Sequence, residues 1–337
     1  MGTLSRRDLM RLSAAALTPV GPAAAEQSRA LRSESVPSVA SAGVRTGGSR
    51  TVRIDGPHDV WVKHVPGKGT TRILTLHGGP GFNHFYLECL EDFLPHAGLG
   101  FWYYDQLGCG FSEQPQDKKL WTVDRYCKEV EQVRAALGLD RLILFGHSWG
   151  GMLGMEYALR YPQHLSALVV SNMTASVAEY VKYAAELVKR LPADAQAIIA
   201  RHRARGDFDS PEYQQVLMKE VYARHVCRLD PWPEPIQRAF RFINEAIYNT
   251  MQGPDEFNIV GNFKDWDIWD RLHAISVPTL LIAARYDEMA PAQITRMGTL
   301  IPNSHVVICE RGSHFAMYDD QEAYFKALLP FLHRAQA

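Results

Sequence analysis

The chain has 337 residues, 46% of them hydrophobic, which is enough for one large domain with an insertion or for two ordinary domains. Its 36 basic and 37 acidic side chains nearly cancel, so no strong field favours nucleic acid or an anionic membrane as a partner. The sequence shows no glycine-rich phosphate loop, no zinc-type spacing of cysteine and histidine and no internal repeat. It therefore calls for no cofactor and no metal. Its five cysteines are scattered and predict buried, inert thiols rather than disulfides.

The N-terminus combines features of an export signal. Arg6 and Arg7 precede a mildly apolar stretch over 12–25, which ends in three alanines suited to cleavage. This order resembles a bacterial twin-arginine signal, and it predicts a signal peptide over 1–25, a disordered linker over 26–50 and a periplasmic or secreted protein. The alternative is a disordered tail with a chance arginine pair, in which case the protein is cytoplasmic. The apolar stretch is too short and too interrupted by proline and glycine to span a membrane.

Strand-like and helix-like segments alternate through most of the remaining chain. Short β-rich runs occur at 51–54, 60–64, 72–76, 100–105, 141–145, 165–171, 279–283 and 305–309. This alternation predicts an α/β fold, with a mostly parallel sheet covered by helices on both faces. We expect 51–174 and 273–337 to form this core.

The segment 175–272 has a different character. It is amphipathic and rich in aromatic residues, with helix-like stretches at 181–191, 213–225 and 236–248. A helical insertion between two strands of one sheet predicts a cap over the edge where the strands end. Ligands of such sheets bind at that edge, so the cap would decide what enters.

One five-residue string carries most of the chemical information: Gly146-His147-Ser148-Trp149-Gly150. It follows an apolar run and precedes a helix-like segment. A G-x-S-x-G turn between a strand and a helix is typical of a nucleophile elbow, which holds the serine hydroxyl clear of the sheet. We therefore expect Ser148 to be a catalytic nucleophile, although the motif alone also occurs by chance in glycine-containing loops.

A serine nucleophile needs a base and an acid that orients the base. In α/β-hydrolases these follow the serine in the order acid, then histidine. Asp287 and His314 occupy loops after the last two predicted strands, so both are expected at the same sheet edge as Ser148. Glu288 is an adjacent rival for the acid, whereas the side chain of His147 is expected to point away from the serine.

Acyl transfer also needs donors for the developing oxyanion. One is expected to be the backbone N–H of Trp149, immediately after the nucleophile. The glycine-rich run after an early strand, His77-Gly78-Gly79-Pro80-Gly81, offers the second, and we assign that donor to Gly79.

Several strings together resemble the proline iminopeptidase family of α/β-hydrolases, from about residue 55 to the C-terminus. Besides the two glycine-rich strings above, the matches are 105–112 (DQLGCGFS), 251–257 (MQGPDEF), 264–267 (KDWD), 286–288 (YDE) and 312–314 (GSH). The family's branch that hydrolyses L-proline amide and other amino acid amides matches comparably, at 224–228 (RHVCR) and 231–234 (PWPE).

The resemblance implies a serine hydrolase that releases an N-terminal L-amino acid, proline or small and apolar, from peptides or amino acid amides through an acyl-enzyme. Glu256 and Glu288 match the family's amine-binding glutamates, which hold a protonated amine by charge-assisted hydrogen bonds. Trp266 and Trp269 are candidates for an apolar slot around a proline ring. An esterase or lactonase on the same scaffold is the alternative. Its triad would be the same, but a neutral ester has no use for the paired glutamates. The sequence leaves the oligomeric state open.

Overall fold

Eight strands form a single sheet in the computed structural model, which describes residues 46–54, 56–70 and 72–336. The strands run β1 Ser49–Arg53, β2 Asp59–Val65, β3 Ile73–Leu76, β4 Phe101–Tyr104, β5 Leu142–His147, β6 Leu165–Ser171, β7 Thr279–Ala284 and β8 Ser304–Cys309. Their spatial order is β1-β2-β4-β3-β5-β6-β7-β8. Strand β2 pairs antiparallel with β1 and β4, and every other pairing is parallel. The expected α/β fold with a mostly parallel sheet is confirmed.

Helices cover the sheet and fill the segment between β6 and β7. They run α1 Val123–Ala136, α2 Trp149–Arg160, α3 Val177–Val188, α4 Ala193–Arg205, α5 Pro211–Val216, α6 Ala223–His225, α7 Glu234–Arg241, α8 Glu245–Met251, α9 Pro291–Leu300, α10 Ala316–Asp319 and α11 Gln321–Gln336. Tighter 3-10 turns lie at His84–Asp92, Lys118–Leu120, Pro162–His164 and Trp269–Ala274, and a π turn, Leu217–Tyr222, joins α5 to α6. No helix in the described ranges is both long and apolar enough to cross a membrane.

The central strands are buried because helices cover both faces of a parallel sheet. All residues of β3, β5 and β7 are buried, so these strands are continuous apolar runs rather than alternating ones. All five cysteines are buried and unpaired, in agreement with the sequence reading. Burial raises the pKa of the Cys89, Cys127, Cys227 and Cys309 thiols to about 12.

The segment between β6 and β7 is helical and fully described. Two backbone hydrogen bonds join its ends, from Val177 N–H to the Trp266 carbonyl and from Ile268 N–H to the Ala175 carbonyl, each at 2.9 Å. The predicted helix at 236–248 is two helices, α7 and α8. The break comes at Asn244, whose side chain accepts hydrogen bonds from Ala246 N–H and Ile247 N–H and so begins a new helix.

The predicted signal peptide over 1–25 lies outside the described residues, as does the predicted linker up to residue 45. Strand β1 begins at Ser49, so the last two residues of the predicted 26–50 linker are part of a strand, where they pair with β2.

Candidate active site

Ser148 occupies the turn between β5 and α2. Its backbone adopts φ 56° and ψ −127°, a conformation that L residues rarely adopt. The turn is so tight that a Cβ at position 146 would lie 2.2 Å from the Gly150 carbonyl oxygen, and one at position 150 would lie 2.0 Å from that of Leu76. Both flanking residues must therefore be glycine. The strand, turn and helix form the nucleophile-elbow geometry that the sequence predicts.

Asp287 and His314 follow β7 and β8 and meet beside the elbow. Asp287 Oδ1 lies 2.9 Å from His314 Nδ1. The same carboxylate is fully buried and accepts two further hydrogen bonds, from Asn172 Nδ2 at 2.7 Å and from Met289 N–H at 3.0 Å. His314 and Ser148 line one cavity. The structure thus brings together all three residues of the predicted catalytic set.

Electrostatics suit His314 to the role of a base. Burial is the largest single effect and disfavours its charged form, but the adjacent Asp287 carboxylate, with smaller contributions from Glu256 and Asp319, raises the pKa of His314 above its usual 6.5. The carboxylate also fixes Nδ1 as the protonated nitrogen, which leaves Nε2 free to accept a proton.

Glu288 is not the hydrogen-bonded partner of this histidine. Its Oε1 lies 3.7 Å from His314 Nδ1, against 2.9 Å for Asp287 Oδ1. Glu288 is 0% exposed, and neither of its carboxylate oxygens has a hydrogen-bond partner among the described residues. Burial, then repulsion from Glu256 and Asp287, raises the pKa of Glu288 well above its ordinary value. A buried carboxylate of this kind is costly unless a cation meets it.

Glu256 reaches the same region from the cap. Its Oε1 accepts a hydrogen bond from the Tyr248 hydroxyl at 2.5 Å, and its Oε2 accepts one from Gln252 Nε2 at 2.8 Å. The Tyr180 hydroxyl donates to the Glu256 backbone carbonyl. These donors fix the carboxylate, which lines both cavities that adjoin Ser148.

The loop after β3 approaches the elbow closely. Gly79 has φ 114°, in the region that favours glycine, and a Cβ there would lie 2.7 Å from Phe82 N. A Cβ on Gly78 would come within 3.0 Å of the Ser148 Cβ. Within the described part of the chain, the N–H groups of Gly79 and Trp149 donate no backbone hydrogen bond, so both remain available for a substrate oxygen.

Polar side chains that the sequence reading did not single out hold this loop. The Trp149 indole Nε1 donates to Gln106 Oε1 at 2.8 Å, and Gln106 in turn donates its backbone N–H to His77 Nε2 at 3.0 Å. The Tyr86 hydroxyl accepts the Gly78 N–H at 2.5 Å. Gln106 lies in the string 105–112, so the sequence offered a signal for its role. No motif in the sequence pointed to Tyr86.

Two cavities meet at Ser148. One contains about 250 Å³ of empty space. Its apolar walls are Met152, Met173, Val177 and Phe263, and its polar end has Tyr180, Gln252 and Glu256. The other contains about 290 Å³ and is lined by His314 together with aromatic side chains. No group of three or more histidine, cysteine or acidic side chains in the described ranges could hold a metal ion.

The prediction that Trp266 and Trp269 line the substrate slot is wrong, because neither lines either cavity; Glu288 is also absent from both linings and adjoins them through Glu256. Trp266 Nε1 donates to Glu156 Oε1 at 2.8 Å, and the Arg296 guanidinium lies 4.0 Å from the centre of the Trp269 ring. These polar partners hold both indoles where the cap joins the core.

Comparisons with known proteins agree with this geometry. Residues 71–321 match the family model described as the alpha/beta hydrolase fold. A proline iminopeptidase of Flavobacterium johnsoniae is 43% identical over 281 residues, which cover 82% of this chain and 95% of the relative. One from Chitinophaga pinensis is 45% identical over 282 residues, covering 82% and 94%. The crystal structure of the Mycobacterium smegmatis proline iminopeptidase superposes with a TM-score of 0.79 at 34% identity, covering 85% of this chain and 98% of that one. The chain belongs to the proline iminopeptidase family of α/β-hydrolases.

Proposed function

We propose that this protein is a serine aminopeptidase that releases an N-terminal L-amino acid, proline or a small apolar residue, from peptides or amino acid amides. One observation carries the proposal: Glu288, a buried carboxylate whose oxygens have no hydrogen-bond partner among the described residues, lies close to Glu256, a second carboxylate that lines both cavities at Ser148. A protonated amine supplies the opposite charge to this pair.

The smaller cavity suits a substrate whose first residue has a small apolar side chain. The methionine, valine and phenylalanine side chains along it suit a pyrrolidine ring or a short aliphatic side chain. The ammonium group then donates to Glu256 in the cavity wall and lies close to the Glu288 carboxylate, and these charge-assisted contacts fix the scissile carbonyl beside Ser148. A peptide bound with an internal peptide bond beside Ser148 has no free amine at this point, so it cannot make this contact.

The mechanism follows from the residues around Ser148. His314 Nε2 removes the proton of the Ser148 hydroxyl as the oxygen attacks the carbonyl carbon, while Asp287 stabilises the imidazolium. The N–H groups of Gly79 and Trp149 bind the oxyanion. His314 then gives its proton to the leaving amine and leaves an ester on Ser148. Water, activated by the same histidine, hydrolyses the ester and releases the free amino acid.

A Ser148→Ala protein tests the nucleophile directly. Wild type is expected to hydrolyse L-prolyl 4-nitroanilide and to be labelled by a fluorophosphonate, whereas kcat of the variant falls by about 10⁴-fold or more and its labelling is lost. Hydrolysis by the variant at the wild-type rate would contradict the proposal. A screen of prolyl dipeptides, L-prolinamide and L-proline esters, run side by side, distinguishes a peptidase, an amidase and an esterase.

A further inference from the structure

Among the residues that distinguish the two cavities at Ser148, His314 decides what each receives. His314 lines the larger cavity and not the smaller one, whereas Gln252 and Tyr180 line the smaller cavity and not the larger, and Glu256 lines both. In acyl transfer the histidine must hand its proton to the leaving nitrogen, so the leaving group lies on the imidazole side of the serine. On the proposed function, the larger cavity therefore receives the part of the substrate that leaves.

Aromatic and aliphatic side chains from four parts of the chain build this cavity. Phe82 comes from the loop after β3, Phe240 from cap helix α7 and Phe315 from the loop after β8, and they are joined by Tyr86 and Val226. Phe82 and Phe240 meet edge to face, with ring centroids 4.8 Å apart and planes at 88°. Tyr86 and Phe315 do the same at 5.2 Å and 70°. The exposed faces and edges of such rings favour contact with another ring or with a large aliphatic group.

The cavity offers little to an acidic side chain. The Tyr86 hydroxyl, its one phenolic group, already accepts Gly78 N–H and lies 3.1 Å from His147 Nδ1. Glu256 is the carboxylate that lines it, so an acidic side chain would meet repulsion as well as desolvation.

We propose that this cavity is a subsite for the residue after the scissile bond, selective for a large, uncharged aromatic or aliphatic side chain. The preferred substrates are then peptides whose small first residue is followed by a residue such as phenylalanine or leucine. Phe240 is the side chain through which the cap sets this preference.

The test compares kcat/KM of the full-length protein for L-Pro-Phe-NH₂, L-Pro-Gly-NH₂ and L-Pro-Asp-NH₂. We expect wild type to favour the phenylalanine peptide over the glycine peptide by about tenfold, with the aspartate peptide the poorest of the three. Phe240→Ala should reduce the Phe-to-Gly ratio to about one to three. Phe240→Leu retains an apolar side chain that packs on Phe82, so it controls for loss of activity through misfolding of the cap. Its Phe-to-Gly ratio should lie between those of wild type and Phe240→Ala.

Phe242→Ala is the matched control, because Phe242 is two residues away on the same segment, is 57% exposed and does not line the cavity. It should keep the wild-type ratio. Equal kcat/KM for the phenylalanine and glycine peptides in wild type would overturn the inference, and so would an unchanged ratio in Phe240→Ala. Either result leaves the proposed function standing if proline is still released efficiently. The proposed function itself is refuted if no first residue is released from these peptides, from their alanine counterparts or from L-prolinamide.

Discussion

His147 Nε2 lies 2.8 Å from the backbone carbonyl oxygen of His314 and donates a hydrogen bond to it. Its other ring nitrogen, Nδ1, then accepts from the Tyr86 hydroxyl at 3.1 Å, and that hydroxyl accepts from Gly78 N–H at 2.5 Å. The chain of hydrogen bonds joins the loop of the catalytic base to the loop of the oxyanion site. Burial, then the neighbouring His314, lowers the pKa of His147 well below 6.5, so this imidazole stays neutral.

Removal of the His147 ring should therefore disturb the geometry of catalysis more than substrate binding. For His147→Leu we expect kcat to fall by roughly tenfold to a hundredfold with a smaller change in KM, because the base and the oxyanion loop lose a shared support. His147→Gln retains a donor for the His314 carbonyl and should recover part of kcat. Steady-state kinetics with L-prolyl 4-nitroanilide measure both parameters, and equal losses in the two variants would show that the hydrogen bond has no such role.

The pH profile should report on the Asp287–His314 pair. His314 must be neutral to act as a base, and Asp287 raises its pKa above 6.5, so kcat/KM should rise with pH through a midpoint above 6.5. In Asp287→Asn the opposing effect of burial remains, so that midpoint should move downward while kcat falls by about 10⁴-fold. If the midpoint of the rise in kcat/KM is the same in Asp287→Asn as in wild type, the ionisation that it reports does not belong to His314.

Glu288 should make the unliganded protein less stable as the pH rises. Its pKa is raised in the folded state, so the folded protein holds this proton while the unfolded chain releases it above about 4.5. The stability linked to the proton is complete below that pH and is lost as pH rises toward the folded pKa. Glu288→Gln should therefore raise Tm relative to wild type at pH 8 and leave it nearly unchanged at pH 4.

Glu322→Gln is a suitable control for that comparison, because the Glu322 side chain is 85% exposed. It should shift Tm little at either pH. A Glu288→Gln protein that is less stable than wild type at pH 8 would refute the assignment of Glu288 as a buried carboxylate without a partner.

The tightness of the elbow predicts a strong effect at Gly150. A methyl group there would lie 2.0 Å from the Leu76 carbonyl oxygen, which belongs to a buried central strand and cannot retreat. Gly150→Ala should lower the free energy of unfolding by roughly 3 kcal/mol, measured by urea denaturation. Gly69→Ala, at a position with no atom within 4 Å of the added carbon, should change it by well under about 1 kcal/mol.

The parts of the site that were predictable from the sequence depend on local patterns. Ser148, Asp287 and His314 each follow an apolar run, and parallel strands bring the residues after such runs to one edge of the sheet. The same reasoning identified Gly79 and Trp149, because a tight turn and the residue after a nucleophile are readable in a short string.

The supporting side chains were not predictable, because their partners are distant in sequence. Asn172 donates a hydrogen bond to Asp287, which is 115 positions away in the sequence, and Tyr86 bonds to His147, which is 61 positions away. No periodicity encodes such contacts, which the packing of helices on the sheet creates. The prediction for Trp266 and Trp269 was wrong for a related reason. A high aromatic content indicates a buried surface but does not show which surface each ring faces.

The central claim is that Glu256 and Glu288 make this hydrolase an aminopeptidase by binding a free amine. The most direct measurement compares kcat/KM for L-proline 4-nitrophenyl ester and its N-acetyl derivative in wild type, Glu256→Gln and Glu288→Gln. Wild type should prefer the free amine, and each substitution should reduce kcat/KM for the free amine by about tenfold to a hundredfold while affecting the acetylated ester far less. Equal losses on the two esters, or a wild-type preference for the acetylated one, would contradict the account.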